Sequence, residues 1–293
     1  MTPEELARRL WPGRPVKLEP LEGGITNRNW RVQVSDEVFV LRVSGKDTNL
    51  LGIDRSTEHA AAVVAAQVGV GPEVEAFIEQ EQCLVTHFIE GRPIPVEEMK
   101  TPQRIGQIAE TLRRLHEGPE IPGRFDAFEV VENYRRVAQE HGVEPPSGYD
   151  EAKTRADAIS KARGPQPTWP CHNDLLNANL IDDGASIRIV DWEYAGMGDR
   201  FFDLANLSVN HEYETEHDDA LLHSYLDTPR DADRAALVLM RYMSDFREAM
   251  WGVVQQGISE LDFDFKAYAD EHFERMERTT ASSSFDRALE SVA

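Results

Sequence analysis

Cysteine is scarce in this sequence, and the residue order that marks a secreted or membrane protein is missing. The only two cysteines, Cys83 and Cys171, lie in apolar segments without a CxxC or Cys/His spacing. This predicts reduced core residues and excludes a disulfide framework and a zinc site. The opening MTPEELARRL lacks the basic-then-apolar order of a secretory signal, and no run approaches the roughly 18 apolar residues of a membrane span. We therefore expect a cytoplasmic protein with no membrane partner.

Positive charge is also in short supply. The chain has 31 Lys and Arg against 53 Asp and Glu, a formal net charge of −22. A surface this acidic repels phosphate backbones, because nucleic-acid binding draws its free energy mainly from neutralisation by Lys and Arg. A general nucleic-acid or anionic-membrane binder is thus excluded. The charge is compatible with a cationic ligand, although a role in solubility explains it as well.

The length and the hydrophobic content allow a sizeable core. The chain has 293 residues, 41% of them hydrophobic, which suits one large domain or two medium ones. WRVQV over residues 30–34 and VFVLRV over 38–43 flank the turn residues 35–37, and this arrangement predicts a β-hairpin. Residues 74–78 and 83–88 predict two more strands.

After residue 90 the pattern becomes mainly helical. Residues 103–116 carry one apolar stripe, and 232–278 also have helical periodicity. We therefore predict an N-terminal unit over 1–90 and a C-terminal unit over 91–293. The last residues, from Ser282, are expected to be loosely held.

Side chains that suit phosphoryl transfer are concentrated between residues 171 and 203. Asp174 lies five residues before Asn179, and Asp191 follows a β-rich run, 187–190, that should deliver it to the end of a strand. Transfer from a nucleotide needs a carboxylate near the attacking hydroxyl and hard oxygen ligands for Mg²⁺ on the phosphates. An Asp, an Asn and a second Asp can supply those roles.

The same segment resembles a known family. HNDLLNANL, followed by VDWEYAG and GMGDRFFDLA, is similar to the catalytic and metal-binding loops of choline/ethanolamine kinases and aminoglycoside phosphotransferases. The resemblance implies a two-lobe, protein-kinase-like α+β fold, with an N-terminal antiparallel sheet plus one helix and a larger, mainly helical C-terminal lobe. It also implies an ATP- and Mg²⁺-dependent phosphotransferase. In it, Asp174 orients and deprotonates the alcohol, Asn179 and Asp191 bind Mg²⁺, and Glu193 assists a second ion.

Two neighbours of this loop are expected to be structural. His172 should hydrogen-bond the loop backbone around Asp191 rather than act as a base. Asp203 should tie the catalytic loop to the helix that follows it. Both expectations concern how the loop is held, and neither residue is assigned to the chemistry.

The resemblance extends to a glycine-containing turn near the N-terminus. LEGGITNRNWRV, residues 21–32, is similar to the family's turn between the first two strands. There Gly23 and Gly24 would let the backbone approach phosphate, and Thr26 or Asn27 would donate hydrogen bonds to it.

Two further nucleotide contacts are implied. Arg42, in FVLRVSG, stands where protein kinases have a lysine on the third strand, so it should contact the nucleotide phosphates. A surface charge is the alternative, but a charge inside an apolar run needs a partner, which favours the nucleotide role. By the same resemblance, Glu58 on the next helix would orient Arg42, as the Lys–Glu pair does in protein kinases, and Arg55 is close enough to be confused with Arg42 in function. VTHFIEG is similar to the hinge, so Thr86 and Phe88 are expected to lie at the adenine.

Two C-terminal segments, MWGVVQ and DFDFKAYA, resemble those that form aromatic walls around choline. Trp251 and Tyr268 are the corresponding residues, and cation–π contacts are worth about 0.5–2 kcal/mol each. Core packing is the alternative role for both. The substrate site would also include Asp174 and Glu193.

The substrate region departs from the family pattern at two places. Glu248 stands where another aromatic is expected, and LSVNHEY, after Asn206, lacks the expected Cys-Glu-Trp string. Glu212 and Tyr213 could compensate. The expected acceptor is a small amino alcohol, choline first and ethanolamine second. An aminoglycoside or other small alcohol, and a nucleotide-binding module without turnover, remain alternatives.

Overall fold

An N-terminal helix packs on one face of a β-sheet. In the computed structural model, which describes residues 1–21 and 27–292, this helix (α1) spans Pro3–Leu10. The hydroxyl of Thr2 accepts a hydrogen bond from the amide of Glu5, and the Glu5 carboxylate accepts one from the amide of Thr2. This reciprocal cap satisfies two of the amides that a helix start leaves unpaired.

The sheet has five antiparallel strands in the order β1-β2-β3-β5-β4. Strands β2 and β3 form the predicted hairpin, with Trp30 opposite Leu41. The bounds are β1 Val16–Leu21, β2 Asn27–Val34, β3 Glu37–Ser44, β4 Val74–Ile78 and β5 Cys83–His87.

Alternation along β3 decides which side chains reach the site. Phe39 and Leu41 are buried in a small apolar cluster with Leu6 and Trp11 of the N-terminal segment. Because successive strand residues point to opposite faces, Arg42 points away from that cluster. It faces helix α2, Arg55–Gln67, which crosses the other side of the sheet.

The rest of the chain is mainly helical, with short strands around the segment 171–203 that carries the residues predicted for phosphoryl transfer. Strands β6, β8 and β9 form one sheet, and β7 pairs with β10. The helices are α3 Pro102–His116, α4 Ala127–Glu140, α5 Tyr149–Arg163, α6 Arg200–Asn210, α7 Thr215–Tyr225, α8 Asp231–Ile258, α9 Phe265–Ala281 and α10 Ser283–Val292, and the strands are β6 Arg92–Pro93, β7 Trp169–Cys171, β8 Leu180–Asp182, β9 Ile187–Ile189 and β10 Gly196–Gly198.

The predicted architecture of an antiparallel sheet followed by a larger helical part is confirmed. The expectation that the chain is loosely held from Ser282 is wrong. Helix α10 buries Phe285 and Ala288, and the Phe285 ring lies 5.4 Å from that of Tyr242 on α8. Leu289 and Val292, partly buried, pack against the same core, so an apolar stripe docks this helix.

The five-stranded sheet ends at His87, and β6, which follows it, pairs with β8 of the helical part. The division into 1–90 and 91–293 stays a prediction. Both cysteines, Cys83 and Cys171, are buried free thiols. Among the described residues, no helix is long and apolar enough to cross a membrane.

Candidate active site

Helix α6 holds the catalytic loop, which lies between β7 and β8. The carboxylate of Asp203 accepts hydrogen bonds from the amides of His172 and Asn173, at 2.8 and 2.6 Å. The side-chain oxygen of Asn206, one turn further along α6, accepts from the amide of Leu175 at 2.6 Å. The predicted role of Asp203 in tying the loop to this helix is confirmed.

His172 links the loop to the strand that carries Asp191. Its Nε2 lies 3.0 Å from the carbonyl oxygen of Val190, and its ring packs edge-on against Trp192. Burial lowers the pKa of His172 below its usual value, although Asp203 opposes the shift, so the neutral ring is favoured. The predicted structural role of His172 is thereby confirmed.

The three residues predicted for phosphoryl transfer are brought together. The side-chain amide of Asn179 donates to the carbonyl oxygen of Asp174 at 2.9 Å. The amide of Val190, immediately before Asp191, donates to the carbonyl oxygen of Asn179 at 3.0 Å. Asp191 itself has a φ of 68°, a left-handed conformation that costs a non-glycine residue free energy and often marks a functional site.

Arg42 is surrounded by three carboxylates. Its guanidinium bonds to Asp191, and it lies 3.0 Å from Glu58 and 3.2 Å from Glu193. Burial alone would lower its pKa, but these carboxylates outweigh burial and raise it. The predicted pairing of Arg42 with Glu58 is confirmed, and the positive charge is permanent.

A second buried arginine strengthens the same cluster. Arg55 lies 2.6 Å from Glu58 and 3.3 Å from Glu193, and it donates to the side-chain oxygen of Asn27 at 2.9 Å. The side-chain amide of Asn27 donates to Glu193 at 2.8 Å. Asn27 therefore joins strand β2 to the segment after β9. Its donation to phosphate stays a prediction.

Asp174 lies on the other side of the loop, against α8. Its carboxylate is 3.4 Å from the guanidinium of Arg247. Burial raises the pKa of Asp174 to about 7; Arg247 opposes the shift, and the nearby carboxylates Glu248, Asp191 and Glu193 add to it. A carboxylate with a pKa near neutrality is well suited to accept a proton.

An aromatic and acidic group continues from Asp174 along α8 and α9. The hydroxyl of Tyr268 donates to Glu248 at 2.9 Å, and the indole of Trp251 donates to the hydroxyl of Tyr194 at 3.1 Å. The rings of Trp251 and Tyr268 meet edge to face at 5.6 Å. Glu248 also accepts from the side-chain amide of Asn206 at 3.4 Å.

The chain is similar to known proteins over most of its length. Residues 17–238 match the phosphotransferase enzyme family. The crystal structure of a choline/ethanolamine kinase family protein from Mesorhizobium loti has a TM-score of 0.85 at 33% sequence identity, covering 99% of this chain and 98% of that one. Human ethanolamine kinase 2 is 26% identical in an alignment of 293 residues, 88% of this chain and 75% of that protein. Protein LicA from Haemophilus influenzae is 27% identical over 216 residues, 69% of this chain and 61% of LicA.

The chain belongs to the choline/ethanolamine kinase family. The predicted family and protein-kinase-like fold are confirmed, and so is the enzyme class, an ATP-dependent phosphotransferase with an alcohol acceptor. The share of LicA that is matched, 61%, is smaller than the shares of the other two proteins. The acceptor itself is a separate question, because members of one family can differ in substrate.

The side chains of this kinase suit a hard cation. The side-chain nitrogen of Asn179 donates a hydrogen bond to the carbonyl oxygen of Asp174. The side-chain oxygen of Asn179 takes no part in that bond. The side chain of Asp191 is 31% exposed, so an ion from solvent can reach its carboxylate. Carboxylate and amide oxygens are the ligands that Mg²⁺ prefers. The residues present therefore fit the predicted Mg²⁺, with Glu193 beside them.

Two predicted substrate residues lie elsewhere. The hydroxyl of Tyr213 donates to the carbonyl oxygen of Met99 at 2.7 Å, and its ring packs between His211 and His217. The Glu212 side chain is 80% exposed, with Lys100 at 3.8 Å. The chain turns after α6 and directs these side chains towards Met99 and Lys100, and their assignment to the substrate site stays a prediction.

The remaining residues predicted to contact the nucleotide are those of the hinge and of the glycine-containing turn. Thr86 lies in β5 opposite Val40, and the amide of Phe88 donates to the carbonyl oxygen of Val38 at 2.9 Å. That amide is therefore engaged in the sheet, so adenine would have to bond to another group of the hinge. Gly23, Gly24 and Thr26 lie outside the described residues.

Four residues of this site were missed from the sequence. Arg247 lies 3.4 Å from Asp174 and packs against the ring of Tyr194, Asn206 holds both the loop and Glu248, and the rings of Phe263 and Tyr268 lie 6.1 Å apart. The signal for Arg247 was weak, because α8 carries other charged residues, Arg241, Asp245 and Glu248 among them. Phe263 is 49% exposed, and its aromatic neighbours in DFDFKAYA were the corresponding signal.

Proposed function

We propose that this kinase transfers the γ-phosphoryl group of ATP to the hydroxyl of a small amino alcohol, choline first and ethanolamine second. One observation carries the proposal. Asp174 lies between the cluster of Arg42, Asn179 and Asp191 on one side and the aromatic and acidic group around Trp251 on the other. A hydroxyl held at Asp174 would therefore have phosphate-binding groups on one side and cation-binding groups on the other.

The names of the relatives support the same class of acceptor. The human protein is an ethanolamine kinase, and the Mesorhizobium loti protein belongs to the choline/ethanolamine kinases. Both names describe kinases of small amino alcohols. Neither name decides between a primary and a quaternary ammonium for the chain described here.

On the nucleotide side, Arg42 would bind the phosphates of ATP and Glu58 would orient it. Asn179 and Asp191, assisted by Glu193, would hold Mg²⁺, which when bound neutralises charge on the transferring phosphoryl group. Gly23, Gly24 and Thr26 would bring backbone and hydroxyl donors to the phosphates, and Thr86 and Phe88 would lie at the adenine.

At the centre, Asp174 would orient the hydroxyl and accept its proton as the oxygen attacks phosphorus. Its pKa of about 7 places it near the pH at which a base is most effective. The reaction needs little from the protein beyond position and charge. The bonds from α6 to the loop therefore matter as much as the carboxylate itself.

On the acceptor side, the ammonium group would lie against the contacting rings of Trp251 and Tyr268, near Glu248. A quaternary ammonium cannot donate a hydrogen bond, so aromatic faces and nearby carboxylates hold it. When Asp174 is ionised, Asp174, Glu248 and Arg247 together carry a net charge of −1, which suits an acceptor with a single positive charge. An aminoglycoside carries several.

An ADP-release assay with a panel of alcohols tests the proposal. The panel contains choline, ethanolamine, an aminoglycoside and an uncharged alcohol of similar size, each with ATP and Mg²⁺. We expect choline and ethanolamine to have the highest kcat/KM. An aminoglycoside with a higher kcat/KM would contradict the acceptor, and tight ATP binding with no stimulation by any alcohol would contradict turnover.

A further inference from the structure

We infer that Arg247 is a positioning residue for Asp174. It holds the carboxylate where it can accept the proton of the hydroxyl, without touching the substrate. The inference rests on the proposed function. The side chain of Arg247 is 1% exposed, and its guanidinium reaches the catalytic loop from α8. The residue lies 73 positions after Asp174 in the chain.

The contacts of Arg247 are concentrated on the backbone and side chain of two consecutive loop residues. One guanidinium nitrogen bonds to the carbonyl oxygen of Asn173 and lies 3.4 Å from Oδ1 of Asp174. A single nitrogen thus couples the peptide before the proposed base to the carboxylate of that base. Rotating the carboxylate would lose this ion-pair contact, which at 3.4 Å is longer than a charge-assisted bond of about 2.8 Å.

The peptide that Arg247 holds is in a costly conformation. Asn173 has a φ of 66°, in the left-handed region that asparagine tolerates better than most residues but still at a cost. Such a conformation persists only when its surroundings fix it. Its amide is bound by Asp203 and its side-chain amide by the carbonyl oxygen of Tyr194 at 3.0 Å. Arg247 supplies the bond on the carbonyl side.

Arg247 is itself held in place. Its guanidinium lies 5.3 Å from the centre of the Tyr194 ring and 5.9 Å from that of Phe202, and Glu248 lies 3.1 Å away. Trp251 fixes Tyr194 through its indole N–H. The planar group is therefore confined between two rings and two carboxylates, which is what a rigid support requires.

Stability alone is a poor explanation for this arginine. Removing a charge from water is expensive, and replacing buried ion pairs by apolar groups is often neutral or stabilising. A buried arginine retained beside the proposed base is better explained by the geometry it imposes. Arg247→Met removes the geometry but also leaves the carboxylates of Asp174 and Glu248 without this partner, which lowers stability; Arg247→Lys, which keeps the charge, is therefore tested beside it.

Steady-state kinetics of Arg247→Met and Arg247→Lys test the inference. A misplaced base costs about 10²-fold in rate, so we expect Arg247→Met to lower kcat by about that factor with the KM for ATP unchanged. Arg247→Lys, which keeps the charge but loses the planar group, should recover about tenfold of that loss. Arg241→Met is the matched control, because Arg241 lies on the same helix and bonds to Asp218 and Ser208 instead.

Equal kcat values for the methionine, lysine and control variants would overturn the inference. If Arg247→Met does not fold, Arg247→Lys decides alone, with a kcat lowered about tenfold at unchanged KM for ATP expected and a wild-type kcat contradicting it. Crystal structures of the wild type and the variants give a readout that needs no acceptor. We expect the Asp174 carboxylate to move in Arg247→Met, and an unmoved carboxylate would overturn the inference. A wild type that phosphorylates no alcohol would instead refute only the proposed function.

Discussion

The guanidinium of Arg42 joins Glu58 on α2 to Asp191 at the end of β9, and so links the sheet to the catalytic segment. The same arginine is expected to bind phosphate, and the same aspartate is expected to bind Mg²⁺. Both lie against Glu193, with its own bonds to Arg55 and Asn27. Binding of Mg²⁺ and ATP would therefore rearrange an ion-pair network that already exists.

Removing Asp191 should abolish the dependence of ATP binding on Mg²⁺. We expect Asp191→Ala to weaken binding of Mg²⁺–ATP by at least about tenfold while metal-free ATP binds as in the wild type or more tightly. Arg42 would lose a competing carboxylate. Isothermal titration with and without Mg²⁺ measures both, with Asp227→Ala as control, because the Asp227 side chain is 99% exposed. An unchanged Mg²⁺ titration would contradict the assignment.

Glu58 should act on the nucleotide and leave the alcohol unaffected. Its two oxygens are 3.0 Å from Arg42 and 2.6 Å from Arg55, so Glu58→Gln would leave both arginines less firmly held. We expect the KM for ATP to rise about three- to tenfold, equivalent to about 1 kcal/mol, with the KM for choline unchanged. Glu274→Gln, at a carboxylate that is 71% exposed, is the control. A change in the KM for choline alone would refute this role.

Asp174→Asn should separate chemistry from binding. The amide cannot accept the hydroxyl proton as a carboxylate does, so kcat should fall about 10²- to 10⁴-fold. The affinity for ATP should remain within about twofold, because the proposed metal ligands are intact. Single-turnover kinetics and equilibrium ATP binding check the two parts. Wild-type turnover in this variant would mean that another group serves as the base.

The raised pKa of Asp174 also predicts a pH dependence of stability. The carboxyl has a pKa of about 7 in the folded protein, against 3.8 ordinarily. A raised pKa favours folding at low pH, and that contribution is lost as the pH rises from about 4 to about 7. Relative to Asp174→Asn, the wild type should lose up to about 1.4 kcal/mol per pH unit in that window and change little above it.

Urea unfolding of both proteins at several pH values between 4.5 and 8.5 measures this difference. The free energy of unfolding should diverge in favour of the asparagine variant as the pH rises towards 7. Parallel curves would show that Asp174 has an ordinary pKa in the folded protein. The same shift predicts that kcat falls as the pH drops below the value at which Asp174 is ionised.

The ring and the hydroxyl of Tyr268 should have different effects on the acceptor. Tyr268→Phe keeps the aromatic face but removes the bond to Glu248 at 2.9 Å, whereas Tyr268→Leu removes the face as well. We expect the leucine variant to raise the KM for choline about tenfold, as the loss of a desolvated cation–π contact of 1–2 kcal/mol implies. The phenylalanine variant should raise it less. Equal effects, or a change confined to ATP, would refute the aromatic wall.

Much of the fold could be predicted because the signals were local. The hairpin of β2 and β3, the stripe of α3 and the strand before Asp191 each follow from periodicity within a few residues. The Arg42–Glu58 pair was predicted from the resemblance to the lysine–glutamate pair of protein kinases, whereas the charge in an apolar strand indicated only that Arg42 needs a partner. These features depend little on distant parts of the chain.

The substrate side was harder because its residues come from distant segments. Nothing local in the sequence says that Arg247, on α8, meets Asp174, or that the turn at Glu212 directs Tyr213 towards Met99 instead. The docking of Phe285 was missed for the same reason. A short amphipathic segment does not indicate in the sequence that it packs on α8. These contacts join residues that are far apart in the sequence, and they form only through tertiary packing.

Product analysis tests the central claim most directly. The wild type and Asp174→Asn are incubated with ATP labelled at the γ-phosphoryl group, Mg²⁺ and either choline or ethanolamine, and the labelled products are separated and identified by mass spectrometry. The account predicts labelled phosphocholine or phosphoethanolamine from the wild type and a loss of about 10²-fold or more with Asp174→Asn. Label found only in inorganic phosphate, or equal product from both proteins, would contradict it.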